Sequence, residues 1–247
     1  MLREIRYSTY SPDGDKSPGK IHTTVSPDGH FVRTTVETGF VFPNQPIELL
    51  LQKFIPRIDD FTGDAKIVCL GSKLVSVLQG RYRRATDIHP GRFARSATRF
   101  GTGFGVGGFP EKLQAAIDDA GYPRIIAATT ASAMEKTAIK LHMLRNRIGV
   151  FYIIAGSRAK AIDGLYGGDG YDKHVLLAPA NPQQTCDRLQ GAFGFPVAIV
   201  DINNLGGDIL GLSNTSALSR TDLIQALKDN PAGQEYERTP VTVVGRI

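Results

Sequence analysis

Along much of this chain, short apolar runs are closed by glycine, proline, asparagine or aspartate. Runs rich in β-branched and apolar residues, bounded in this way, predict strands over 20–25, 30–41, 65–78, 150–155, 174–177, 196–202 and 239–244. A period near that of a helix predicts helices over 46–58, 90–100, 110–120, 132–147, 181–193 and 219–230. The first three of these open on proline, whose missing N–H costs nothing at the first helical position. Ser219 and Asp222 have the spacing of a capping box, and Gly121 after Ala120 is a helix stop. Strands occur both in hairpin-like clusters and in alternation with helices. That mixture predicts an α+β protein with mixed sheets rather than a doubly wound one. The glycine stretches 101–108 and 164–170 read as loops.

Composition adds little until it is mapped onto the chain. Hydrophobic residues at 41% and charged residues at 21% fit a globular protein and exclude disorder as the main state. Cys69 and Cys186 both sit in apolar stretches, so no disulfide framework is expected. The first twenty residues lack an apolar core, and no apolar run approaches a bilayer-spanning length. A cytoplasmic protein with no membrane partner is therefore expected. The net charge of +5 is too mild to announce a nucleic-acid binder. Its distribution is uneven: Arg81, Arg83, Arg84, Arg92, Arg95 and Arg99 stand against Asp87 alone in one stretch. Such a patch suits phosphate groups as well as a solvated face. Its aromatic interleaving is limited to Tyr82, Phe93 and Phe100, so the sequence does not predict a nucleic-acid partner.

Four segments could carry chemistry. In 63–81, Ser72 and Lys73 lie near the middle of a predicted strand, where the alternating pattern favours a lysine that simply faces solvent over a phosphate contact by the hydroxyl and the point charge. The loop at 101–109 leads into a helix but lacks both the dinucleotide fingerprint and the Walker ending, so a hinge is the better reading. Segment 161–174 sets Asp163, Asp169 and Asp172 among glycines, as a hard-cation site or plain turns would. In 195–211 an apolar strand runs into Asp201, Asn203 and Asn204. Residues 201 and 203 share a side by strand periodicity. A metal site and a capped turn both fit this last segment. Asp208 lies beyond the glycines and is expected to be peripheral. No histidine falls in a nucleophile motif.

Taken in order, GDAKIVCLGSKLVSVLQGR (63–81), the element at 160–163, LLAPANPQQTCDRLQ (176–190), VAIVDINNLGG and the closing TPVTVVGRI resemble the coenzyme F420-0:L-glutamate (gamma-glutamyl) ligase family. The resemblance covers about two thirds of the chain, from residue 63 onward; Gln79 stands where that family tends to have Glu. It implies a single two-lobed α+β domain over 1–247, with a lobe boundary near 90–150, that forms an intertwined homodimer. The implied activity is amide formation between L-glutamate and a carboxylate acceptor such as coenzyme F420-0, driven by GTP through an acyl phosphate with Mn²⁺ or Mg²⁺. Ser72 and Lys73 would contact the nucleotide. Asp163 and Asp201 would ligate metal, while the family's Asp-Thr metal pair falls on Asn203 and Asn204. Two neutral amides there leave open a non-catalytic nucleotide-binding protein on the same fold.

Overall fold

The computed structural model describes residues 21–38, 45–54, 66–99, 109–143, 149–156, 159, 161–162, 174–203, 206–233 and 240–247. The protein is α+β. It divides into two compact units, Met1–Gly80 with Pro179–Ile247, and Arg81–Ala178.

The first unit is built on a mixed six-stranded sheet of β1 (Ile21–Val25), β2 (Phe31–Val36), β3 (Lys66–Gly71), β6 (Val197–Asn203), β7 (Gly206–Leu212) and β8 (Val241–Arg246). Their order is β1-β2-β8-β3-β6-β7. Only β3 and β6 run parallel, with Val68 opposite Val197 and Gly71 opposite Val200; the other neighbours are antiparallel. One face packs Phe31, Ile67, Cys69, Ala198, Val200, Ile209 and Val244 against α8 (Arg220–Ala226), which contributes Leu223 and Ala226. Each fully buried aliphatic side chain of this kind stabilises the fold by roughly 1.5–3 kcal/mol. Among the described residues this unit also holds α1 (Ile47–Gln52), α2 (Ser72–Leu78) and α7 (Pro182–Phe193).

Buried Arg33 on β2 donates to the carbonyls of Val25 and Ala226 and pairs with Asp229, tying the end of α8 to the sheet edge. The start of α7 lies so close to β7 that a Cβ on Gly211 would fall 2.5 Å from the Pro182 carbonyl oxygen.

The second unit joins α3 (Arg92–Arg99), α4 (Pro110–Ala120), α5 (Tyr122–Lys140) and α6 (Val150–Ala155) to a two-stranded sheet of β4 (Tyr82–Arg84) and β5 (His174–Leu176). Leu113, Ile125, Ala128, Phe151, Ile162 and Val175 are among its core.

Several boundaries depart from the sequence expectation for physical reasons. The strand expected over 65–78 ends at Gly71, and SKLVSVL is a helix instead. Six of those seven residues are buried, so no amphipathic period exists to reveal it, and its valines imitate a strand. The strand expected over 150–155 is also a helix, entered from a left-handed Gly149 and burying Phe151 and Ala155 one turn apart. The strand expected over 30–41 ends at Val36. Helix α5 begins ten residues before the expected start, because its buried face carries Thr129, Ser132 and Glu135 beside Ile125 and Ala128. The expected helix at 110–120 is present with the same ends, and the Ser219–Asp222 capping box is formed in both directions. Strand β7 was not anticipated at all.

Candidate functional site

The C-terminal ends of β3 and β6 lie side by side because these two strands are parallel and in register. In open parallel α/β sheets ligands are bound beyond the carboxyl ends of the strands, and this one parallel pair has the same local arrangement. The ladder closes at Gly71 opposite Val200, and the next residue on each side is Ser72 and Asp201. Ser72, 4% exposed, donates its hydroxyl to Asp201 Oδ1 at 3.2 Å. Lys73 follows half-buried on α2. Ser72 therefore opens a helix rather than sitting in mid-strand, which corrects the expectation for both residues. Gly71 passes close to Pro240, and its amide donates to the Pro240 carbonyl at 2.8 Å. The Gly71 amide is thereby spent on the sheet.

Strand alternation sets which way β6 points. Ala198, Val200 and Ile202 belong to the α8 side, so Ile199, Asp201 and Asn203 point to the other. Across the β6–β7 ladder Asp201 is paired with Asp208, and Asn203 with Gly206. Directly opposed residues project on the same face with Cβ atoms about 4.5–5.5 Å apart. Asp208 is thus not peripheral, as expected from sequence, but the cross-strand partner of Asp201. Both are half-buried. The register shift between Ile199 and Val200 restores this alignment, placing Ile209 opposite Val200 on the core side. A sequence signal for β7 did exist: two apolar runs separated by an Asn- and Gly-rich gap form a hairpin pattern. Three glycines in the second run disguised it as a turn.

Ser72 and Asp201 are brought together, and Asn203 lies on the face of Asp201. Asp163 and Asn204 lie outside the described residues, as do Asp169, Asp172 and the glycine stretches 101–108 and 164–170. The donors that are placed, two carboxylates, an amide and a hydroxyl, are all hard oxygen groups. That is the donor chemistry Mg²⁺ and Mn²⁺ select, and two carboxylates match the number Mg²⁺ takes alongside substrate phosphates. Among the described residues, no group of three or more His, Cys, Asp and Glu forms a metal cage. Cys69 and Cys186 are free and buried, and burial pushes the Cys186 thiol up to about 12, so neither serves as a nucleophile.

Gln79, where the resembling family tends to have Glu, has a structural task. Its amide accepts from Ala180 N at 2.7 Å and donates to Ala180 O at 3.2 Å and Thr185 Oγ1 at 3.3 Å. A carboxylate could accept but could not donate, so Gln is the better clasp between the end of α2 and the start of α7.

Of the arginines at 81–99, two are already committed. Arg81 pairs with Asp119 at 2.6 Å and Arg83 with Asp118 at 2.7 Å. No helix among the described residues is long and apolar enough to cross a membrane. No protein-family model matches the chain, and no curated protein matches it.

Proposed function

We propose that this protein binds a nucleoside triphosphate together with Mg²⁺ or Mn²⁺ at the carboxyl ends of β3 and β6. It uses the nucleotide, as a coenzyme F420 gamma-glutamyl ligase does, to join L-glutamate to a carboxylate acceptor. The observation that carries this reading is the 3.2 Å hydrogen bond between Ser72 and Asp201. A hydroxyl at the start of a helix after one parallel strand, beside an acid at the end of the neighbouring strand, is the pairing that holds a phosphate-bridging metal in many nucleotide-binding proteins. The resemblance from residue 63 onward supplies the reaction class.

In this reading Ser72, Asp201 and Asp208 hold the metal, with Asn203 as a neutral donor. Lys73 meets the nucleotide phosphates as a point charge. A metal held by these residues would neutralise charge on the phosphates; the acceptor carboxylate attacks the terminal phosphorus, the bond to the β-phosphate breaks, and the nucleoside diphosphate leaves. The acceptor then carries an acyl phosphate, the amine of glutamate displaces phosphate, and an amide forms. The protein works as a cytoplasmic homodimer, as the resemblance implies.

Asn203 favours one alternative, a nucleotide-binding protein that performs no ligation. It is neutral where the resembling family carries an acid, and loss of one metal-held charge preserves binding better than catalysis.

The test is a GTP titration with and without Mn²⁺ on the wild type, Lys73→Ala and Asp201→Asn, followed by phosphate release with glutamate and an acceptor. Mn²⁺ should tighten GTP binding in the wild type, because phosphates supply negative charge that the protein site lacks. Lys73→Ala should weaken GTP at any metal concentration, and Asp201→Asn should remove the coupling. GTP binding indifferent to Mn²⁺ in the wild type rejects the metal-dependent site. Coupled binding without phosphate release selects the non-catalytic alternative.

A further inference from the structure

Charge is divided unevenly between the two units. Arg81–Ala178 carries 15 Lys and Arg against 8 Asp and Glu, a formal +7, which leaves −2 on the remainder of a chain whose total is +5. Several acids of the basic unit are already engaged. Asp118 and Asp119 pair with Arg83 and Arg81, while buried Glu135 accepts from the Gly149 amide at 2.9 Å at the start of α6. Among the described residues, exposed cations of this unit cluster on α3.

On α3, Ala94 and Ala97 are buried in the core and Phe93 is half-buried against Tyr122. Arg92, Arg95 and Arg99 are exposed on the other side. At 3.6 residues per turn they fall within a stripe about 60° wide and about 10 Å long. Among the described residues no carboxylate engages any of the three. Arg84, exposed at the end of β4, is likewise unpaired.

We propose that the arginine face of α3 docks the phosphate backbone of a single-stranded nucleic acid. A single row of guanidinium groups matches a single row of phosphates, and each planar fork can hold a phosphate through two hydrogen bonds. Bases are not read. Phe93 packs against Tyr122 and Tyr82 against His174, and the exposed Tyr122 ring offers at most a sequence-tolerant stacking face. The contact is therefore indifferent to base sequence and rests chiefly on the phosphates. An anionic membrane fits less well. Interfacial helices carry apolar side chains that enter the lipid beside their charges, whereas the apolar residues of α3 are turned into the core.

The experiment is fluorescence anisotropy of short labelled RNA and DNA single strands of one sequence with the full chain, across a salt series. Three phosphates on a single strand give a slope of log affinity against log salt of about −2, or about a twentyfold loss between about 50 and 200 mM. RNA and DNA should bind alike. R92Q/R95Q/R99Q should flatten the slope toward zero while retaining the wild-type melting temperature, since all three side chains are exposed. Each single variant should remove about 0.7 of the slope, which keeps the test valid if the triple variant folds poorly. Salt-independent binding, an unchanged slope in the variants, a strong preference for one base sequence, or binding to anionic vesicles without binding to either oligonucleotide would each overturn the proposal.

Discussion

Ser72 Oγ donates to Asp201 Oδ1 across 3.2 Å, linking the first residue of α2 to the carboxyl end of the neighbouring parallel strand. The hydrogen bond fixes the carboxylate from one side while Asp208 stands opposite it on the other. A hydrogen bond to a charged group contributes about 1.5–3 kcal/mol, and Ser72 is buried, so Ser72→Ala should destabilise the protein by an amount in that range. It should also weaken metal-dependent GTP binding, because Asp201 loses the donor that orients it. Ser72→Thr keeps the hydroxyl and should keep both properties. Urea unfolding and a GTP titration with Mn²⁺ measure the two effects; a Ser72→Ala protein with undiminished coupling would count against the assigned role.

Asp201 and Asp208 form a like-charged pair across an antiparallel ladder, an arrangement that costs stability unless a cation lies between them. Asp208→Asn should therefore stabilise the metal-free protein by about 0.2–1 kcal/mol. For a chain of this size that is a rise in melting temperature of up to about 4 °C. The same substitution should weaken Mn²⁺-dependent GTP binding about as much as Asp201→Asn does. Opposed changes in stability and binding are the signature of a site kept at the expense of the fold. If Asp208→Asn leaves both unchanged, Asp208 is a solvated strand residue and nothing more.

How far the sequence discloses this arrangement can be judged from the same residues. Asp201 and Asn203 were legible, because a strand ending in polar residues at a spacing of two is a local pattern. Ser72 was noticed for its chemistry but misplaced, since a helix buried nearly all round has no polar face to mark it. Asp208 reads as peripheral because Gly206 and Gly207 suggest a turn before it. Pairing with β6, a tertiary fact, is what makes that segment a strand. The adjacency of Ser72 and Asp201 spans 129 residues of chain and depends on parallel pairing, which no local pattern encodes.

Gly211 illustrates a constraint of the same tertiary kind. Its Cβ would lie 2.5 Å from Pro182 O and 3.0 Å from Cys186 Sγ, and the nearer contact is backbone that cannot swing aside. Gly211→Ala should push the start of α7 off β7, where Gln183 donates to Leu212 O at 2.6 Å and accepts from Leu212 N at 3.3 Å. Overpacking of this type costs about 1–3 kcal/mol. Thermal unfolding should show a corresponding loss, and a variant as stable as the wild type would mean that α7 tolerates displacement.

Acid should weaken the cap of α8. Asp222 accepts from Ser219 Oγ at 2.7 Å and Ser219 N at 2.8 Å, and from Arg246 at 2.7 Å, while Ser219 Oγ accepts from Asp222 N at 3.1 Å. The Ser219 hydroxyl and amide, with the Arg246 charge adding to them, hold the Asp222 carboxyl below its ordinary value. A group depressed in the folded state binds its proton more readily when unfolded. Its contribution is therefore complete above the unfolded value of about 3.9 and is lost as pH falls through the lower folded value. Asp222→Ala should cost about 1 kcal/mol at neutral pH, the usual scale of a helix cap. That deficit should stay constant down to about pH 4 and shrink below it, as the wild-type carboxyl takes up its proton and loses what the variant already lacks. Urea unfolding of both proteins across this range reads the difference directly. A deficit that grows on acidification would reverse the sign and show that the ionised carboxylate is not the form the folded protein favours.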